Sequence, residues 1–122
     1  MSHNDKPLVV AVTADLIFAA RIRASAAAAG AEVHLVRAGE DVAGLVAGRA
    51  PQLVLLDLDA RWLDVAELIR QLKAEERTAR ARIVAYGSHV REDAIAAARE
   101  AGADRVLARS AFVRLLPELL GG

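Results

Sequence analysis

Cysteine is absent from the 122 residues, which excludes disulfides and thiolate metal sites. Charge of neither sign is in surplus: 16 basic and 16 acidic residues give a net charge of +0. Electrostatic capture of nucleic acid or of an anionic membrane therefore has no driving force. No apolar run approaches the ~20 residues that span a bilayer. Met1 to Pro7 lack the hydrophobic centre of a signal peptide and read as a flexible leader, 1–7, ahead of a single domain, 8–122. Glycine is missing from Thr13 to Phe18, just after the first strand-like run, so neither a phosphate-cradling loop nor a dinucleotide fingerprint is present. A chain of this length buries roughly two thirds of its unfolded surface, and the cytoplasm is its expected location.

What is present is most informative between Pro51 and Asp59, PQLVLLDLD. A continuous apolar run of this kind is the pattern of a strand buried on both faces of a parallel sheet. In open α/β sheets, sites gather outside the carboxyl ends of the strands, so Asp57 stands where a site belongs. Further strands are predicted at Leu8–Thr13, Glu32–Arg37, Arg82–Gly87 and Asp104–Ala108. The second of these five alternates polar with apolar residues, as a half-exposed edge strand does. Asp15 is placed to cap a helix that ends near Ala29, before Gly30. A short helix lies between Gly39 and Gly48, and another runs from about Leu63 to Glu76. A fourth spans Arg91 to Ala101 and stops at Gly102. Ser110 is placed to cap the last, reaching about Leu120, which Pro117 should kink or divide. Strands alternating with helices in this way predict an α/β fold with a doubly wound, five-stranded parallel sheet and right-handed crossovers.

Three segments carry a resemblance: VLLDLD at 54–59, GAEV at 30–33, and AIAAAREAGADRVL at 94–107, with AGAD at 101–104 the best local match. In this order and spacing, from Leu8 to Leu120, the chain resembles the receiver domains of bacterial two-component response regulators. The resemblance implies a flavodoxin-like sheet of strand order 2-1-3-4-5 and a phosphorylation pocket. Its phospho-acceptor falls on Asp57. Its Mg²⁺-holding acidic pair falls on Thr13 and Ala14, with Asp15 one residue further. The hydroxyl at the end of the fourth strand falls on Gly87, with Ser88 adjacent. The lysine after the fifth strand is replaced by Arg109, the following proline by Ser110, and the aromatic switch residue by Val106. The missing acids matter most, because Mg²⁺ is held through carboxylates and neutralises charge during phosphoryl transfer. A guanidinium pairs a carboxylate in a two-pronged fork. A direct Arg109–Asp57 pair is therefore expected to satisfy the acid, block its nucleophilic face and fix one state.

Other residues admit two readings each. Asp59 is a metal ligand or a supporting acid, or, as the plainer reading, a solvated loop residue that caps the next turn. Trp62, the single tryptophan, follows Arg61, and both residue types are favoured interface anchors; alternatively, Trp62 folds over the third helix. His89 reads as a lone surface histidine. Ala94, Ile95, Ala97 and Ala98 make a small apolar face. The resemblance implies dimerisation through the fourth helix, fifth strand and fifth helix, which makes Ile95 and Val106 contact candidates. Alanine is also simply a good helix former.

The expected function is that of a degenerate, stand-alone receiver (a pseudo-receiver). It would act in signal transduction as a protein–protein adaptor, without Mg²⁺-dependent phosphorylation and without a cofactor. Its partner would be a histidine kinase or another signalling protein. One alternative is a receiver phosphorylated at Asp57 by a histidine kinase, which would need Mg²⁺. A further alternative is a small cofactor-binding module on the same architecture, disfavoured by the missing glycines and by the absence of the histidine-centred motif of cobalamin-binding domains. An independent enzyme is not expected, since no nucleophile, base and orienting group can be assembled.

Overall fold

The computed structural model describes residues 6–88 and 91–121; most of the leader, and His89, lie outside them. The predicted strands form β1 (Leu8–Val12), β2 (Glu32–Leu35), β3 (Leu53–Asp57), β4 (Arg82–Gly87) and β5 (Arg105–Ala108). They pair in parallel in the order β2-β1-β3-β4-β5. The uninterrupted apolar run of β3 lies at the centre and is buried at every residue, whereas the alternating β2 forms an edge. Parallel pairing requires a crossover after each strand, and the helices provide it.

Alternation along the strands sorts the core into two layers. Val9, Leu53, Leu55, Val84 and Tyr86 face α1 (Leu16–Ala28) and α5 (Arg109–Gly121), where they meet Phe18, Ile22, Phe112 and Leu116. Val10, Val12, Val54, Leu56, Ile83 and Ala85 face α2 (Val42–Arg49), α3 (Val65–Ala74) and α4 (Glu92–Ala101). No helix among the described residues is long and apolar enough to cross a membrane.

Aspartates set three helix starts. Asp15, Asp41 and Asp64 cap α1, α2 and α3, each accepting backbone N–H groups, which satisfies donors that have no partner inside the helix. These caps explain why α2 and α3 begin later than Gly39 and Leu63. Gly102 closes α4 at φ +110°, a conformation that glycine adopts without strain. Two residues later, Asp104 accepts the Ile83 N–H at 2.7 Å and lies 3.0 Å from Lys73 Nζ. The segment from Ala101 to Asp104 thus stops a helix and fastens the start of β5 to β4 and α3.

The start and middle of α5 correct the sequence expectations. Ser110 does not cap the helix: α5 begins at Arg109, directly after β5, and Ser110 lies within its first turn. Pro117 does not divide it. An interior proline costs about 3 kcal/mol through its lost N–H bond and its ring clash. Here Pro117 is on the exposed side, while Leu116, Leu119 and Leu120 are buried. Burial of each leucine contributes roughly 1.5–3 kcal/mol, so packing prevails.

Candidate functional site: an acid pocket held by arginine

The carboxyl ends of β1, β3 and β4, with the β5–α5 junction, bring together Thr13, Ala14, Asp57, Gly87 and Arg109. Asp57 ends β3 in register with Tyr86 and has no exposed surface. Its Oδ2 accepts the Ala14 N–H at 2.9 Å, and its Oδ1 accepts the Asp59 N–H at 2.8 Å. Burying an unpartnered carboxylate would be strongly unfavourable; two charge-assisted backbone bonds offset much of that penalty. Ala14 therefore matters through its backbone. The Thr13 hydroxyl faces the Asp15 main chain, donating to its carbonyl and accepting from its N–H, both at 3.2 Å.

Arg109 reaches in from the first residue of α5. Its Nη2 lies 3.1 Å from Asp59 Oδ2 and 3.9 Å from Asp57 Oδ2, and its Nη1 lies 3.7 Å from Asp15 Oδ2. Of these contacts, the one to Asp59 is a hydrogen bond. Arg91, at the N-terminus of α4, donates to the other Asp59 oxygen at 3.3 Å. The guanidinium carbon of Arg109 stands 4.5 Å from the centre of the Phe18 ring, a cation–π contact.

This arrangement corrects two expectations. Arg109 pairs with Asp57 at 3.9 Å, longer than the expected fork, because its guanidinium hydrogen-bonds the outer acid, Asp59, at 3.1 Å. Nor is Asp59 a plain solvated loop residue: its side chain is 22% exposed and is bonded to two arginines from two helices. Asp15 combines its capping role, in which Oδ1 accepts the Ile17 and Phe18 N–H groups, with the long contact to Arg109.

Gly87 sits tightly against Leu58, so that a side chain there requires Leu58 to give by a few tenths of an ångström. A Cβ built there would lie 3.0 Å from Leu58 Cβ and 3.3 Å from its Cδ1. Leu58 is buried, and its N–H donates to the Tyr86 carbonyl at 2.8 Å. Tyr86, which sequence reasoning did not single out, donates its hydroxyl to the Val12 carbonyl at 3.3 Å and stacks on Phe112 at 3.8 Å. Burial above all, and then the nearby Asp57 charge, push its phenol well above the ordinary tyrosine value.

Solved structures share this arrangement of strands and helices. The receiver domain of a sensor histidine kinase from Pseudomonas aeruginosa PAO1, with a magnesium ion coordinated in its active-site cleft, has a TM-score of 0.77 at 21% identity. That match covers 96% of this chain and 99% of that one. The signal receiver domain of a DNA-binding response regulator from Colwellia psychrerythraea 34H has a TM-score of 0.78 at 16% identity, covering 96% of this chain and 100% of that one. A response regulator signal receiver domain from Bermanella marisrubri has a TM-score of 0.76 at 22% identity, covering 95% and 99%. The fold is the receiver fold. No protein-family model matches the chain, and no curated protein matches it in sequence.

The receiver fold implies a magnesium ion beside the position of Asp57, and the donors of this pocket do not fit one. Asp15 caps a helix, Asp57 is bonded to the backbone, Asp59 is bonded to two arginines, and a guanidinium occupies the space they share. Among the described residues, no group of three or more His, Asp or Glu is placed to hold a metal ion.

The interface candidates separate. Ile95 and Val106 are half-buried against the aliphatic layer, with Val106 beside Ala85 in the sheet. Trp62 is 39% exposed, but Leu16 and Ile17 are far more so, at 89% and 71%. Sequence reasoning missed both. Their signal was an excess: Phe18, Ile22 and Ala26 supply the buried stripe of α1, leaving Leu16 and Ile17 with no core position to fill. Beside them, a cleft of ≈ 560 Å³ is lined by Phe18, Ser88, Ala108, Arg109, Ser110 and Val113. His89 falls outside the described residues.

Proposed function

We propose that this chain is a signalling receiver that works through protein–protein contacts, with arginines in place of a divalent cation. The reading is carried by the Arg109 guanidinium, set among Asp15, Asp57 and Asp59. Phosphoryl transfer depends on positioning and on neutralising charge around the moving group. Asp57 has no exposed surface and both of its oxygens are engaged, so it is a poor nucleophile. Gly87 carries no hydroxyl to hold a phosphoryl oxygen, and Leu58 crowds a side chain there. The pocket serves instead as a fixed joint between the β1–α1 loop, the β3–α3 loop, α4 and α5. Exposed Leu16, Ile17 and Trp62 offer apolar contacts to a histidine kinase or another signalling protein. The domain needs no cofactor, catalyses no reaction of its own, and acts in the cytoplasm.

An amide NMR titration with Mg²⁺, followed by beryllofluoride as a phosphoryl mimic, tests this. The expected result is an unchanged spectrum at millimolar Mg²⁺ and excess beryllofluoride. Shifts centred on Asp57, Thr13 and Asp15 and spreading into α4 would overturn the proposal in favour of a receiver phosphorylated at Asp57.

A further inference from the structure

Helices α2 and α3 lie side by side on the same face of the sheet, joined at their base by one buried cluster. Between them are two adjoining hollows of ≈ 450 and ≈ 260 Å³, which share Asp41, Ala43 and Gln71 and so form one groove. Its walls are mostly apolar and small, with Ala43 and Ala47 from α2 opposite Leu72 and Ala74 from α3. Its rim is acidic: Glu40, Asp41, Asp64, Glu67 and Glu75 line the hollows, and among the described residues no lysine or arginine does. Local partners engage part of this charge. Asp41 and Asp64 each accept one backbone N–H as helix caps. Glu67 pairs with Arg70 at 3.2 Å, and Glu40 lies 3.2 Å from His34 Nε2. Glu67 and Arg70 are both more than half exposed, so an arriving cation can compete for that carboxylate.

An apolar trough rimmed by one sign of charge fits a ligand with the converse pattern, an apolar face flanked by cations. The eight residues of α2 and ten of α3 give the groove walls about 12 and 15 Å long, enough for about two turns of a bound helix. We propose that the α2–α3 groove docks a basic amphipathic helix of a partner protein. The groove uses no residue of the Asp57 pocket, so this inference and the proposed function stand or fall separately.

The test uses a synthetic helical peptide of about 14 residues, with leucine along one face and lysine along the other, and a control with glutamate in place of lysine. The lysine peptide is expected to shift the amides of Ala43, Ala47, Gln71 and Thr78, and the glutamate peptide to leave them in place. Glu67→Gln combined with Glu75→Gln should weaken binding about tenfold and flatten its salt dependence. Ala47→Trp, which fills the groove with every charge intact, should weaken it at least as much. Equal binding of both peptides, or shifts centred on α1, would overturn the proposal. So would shifts that grow with protein concentration in the absence of peptide, which would assign the groove to a second copy of the chain.

Discussion

On the α1–α5 side of the sheet, the rings of Phe18, Tyr86 and Phe112 stack with centroids 3.8–6.2 Å apart and planes within 15° of each other. On the α2–α3–α4 side, the buried cluster holds, among the described residues, only valine, leucine, isoleucine and alanine. Aliphatic burial is non-directional, so that layer takes its alignment from polar fasteners at its edge: Thr78 Oγ1 to the Leu72 carbonyl, and Asp104 to Ile83 and Lys73. The aromatic layer has direction of its own, and it points at the acid pocket. Phe18 lies under Arg109, and the Tyr86 hydroxyl holds the end of β1. One layer positions the charged joint, and the other leaves a groove open between its helices.

The largest expected effect tests that division. Phe112→Ala should lower stability by about 3–5 kcal/mol in denaturant melts, and Leu72→Ala on the opposite side by about 2–5 kcal/mol. Only Phe112→Ala should also move the amide signals of Ala14 and Asp59. Equal movement in both variants would break the comparison.

Gly87→Thr, which nominally restores a hydroxyl, is expected to destabilise by about 1–3 kcal/mol through the collision with Leu58. An unchanged unfolding midpoint would mean that Leu58 gives way freely.

Tyr86→Phe should remove about 1 kcal/mol at neutral pH by deleting one hydrogen bond. It should also change the alkaline limb. The native phenol keeps its proton beyond the ordinary value of 10.0, because burial opposes the charged form and Asp57 adds to that. The stability that Tyr86 contributes through this shift is therefore complete below pH 10 and declines above it, by up to about 1.36 kcal/mol per pH unit. As the sole tyrosine of the chain, Tyr86 should account for the entire wild-type excess over the phenylalanine variant.

The smallest effect belongs to the edge of the aliphatic layer. Partial burial would raise the Asp104 carboxyl, but the Ile83 N–H and Lys73 outweigh it and hold the group below its ordinary 3.8. Its contribution is present above that value and fades as pH falls below it. Asp104→Asn should lower stability by about 1 kcal/mol at pH 7, a modest figure because the ion pair is solvent-exposed. The gap to wild type should close in acid.

The fold was legible because its signals are local and repeated: apolar runs gave the strands, and Asp15, Gly30 and Gly102 marked helix ends. Asp57 and Arg109 were rightly placed in one pocket, as residues at the ends of neighbouring strands. The pairing within it was not legible. That Arg109 hydrogen-bonds Asp59 at 3.1 Å and reaches Asp57 only at 3.9 Å depends on side-chain placement in three loops, and no spacing rule reports that. Ser110 misled for a related reason: it has the chemistry of a cap, but β5 runs into α5 with no intervening loop for it to occupy. Pro117 does not divide α5 because three leucines bury the other side of the same helix.

Gly87 and Leu58 also bear on the order of substitutions. Placing a hydroxyl at the end of β4 asks either that Leu58 give by a few tenths of an ångström or that a smaller residue stand at 58. Made first, the change at 87 collides with Leu58; made first, the change at 58 opens a cavity. Where Leu58 does not yield, either order passes through a less stable protein, and the identities at 58 and 87 constrain each other.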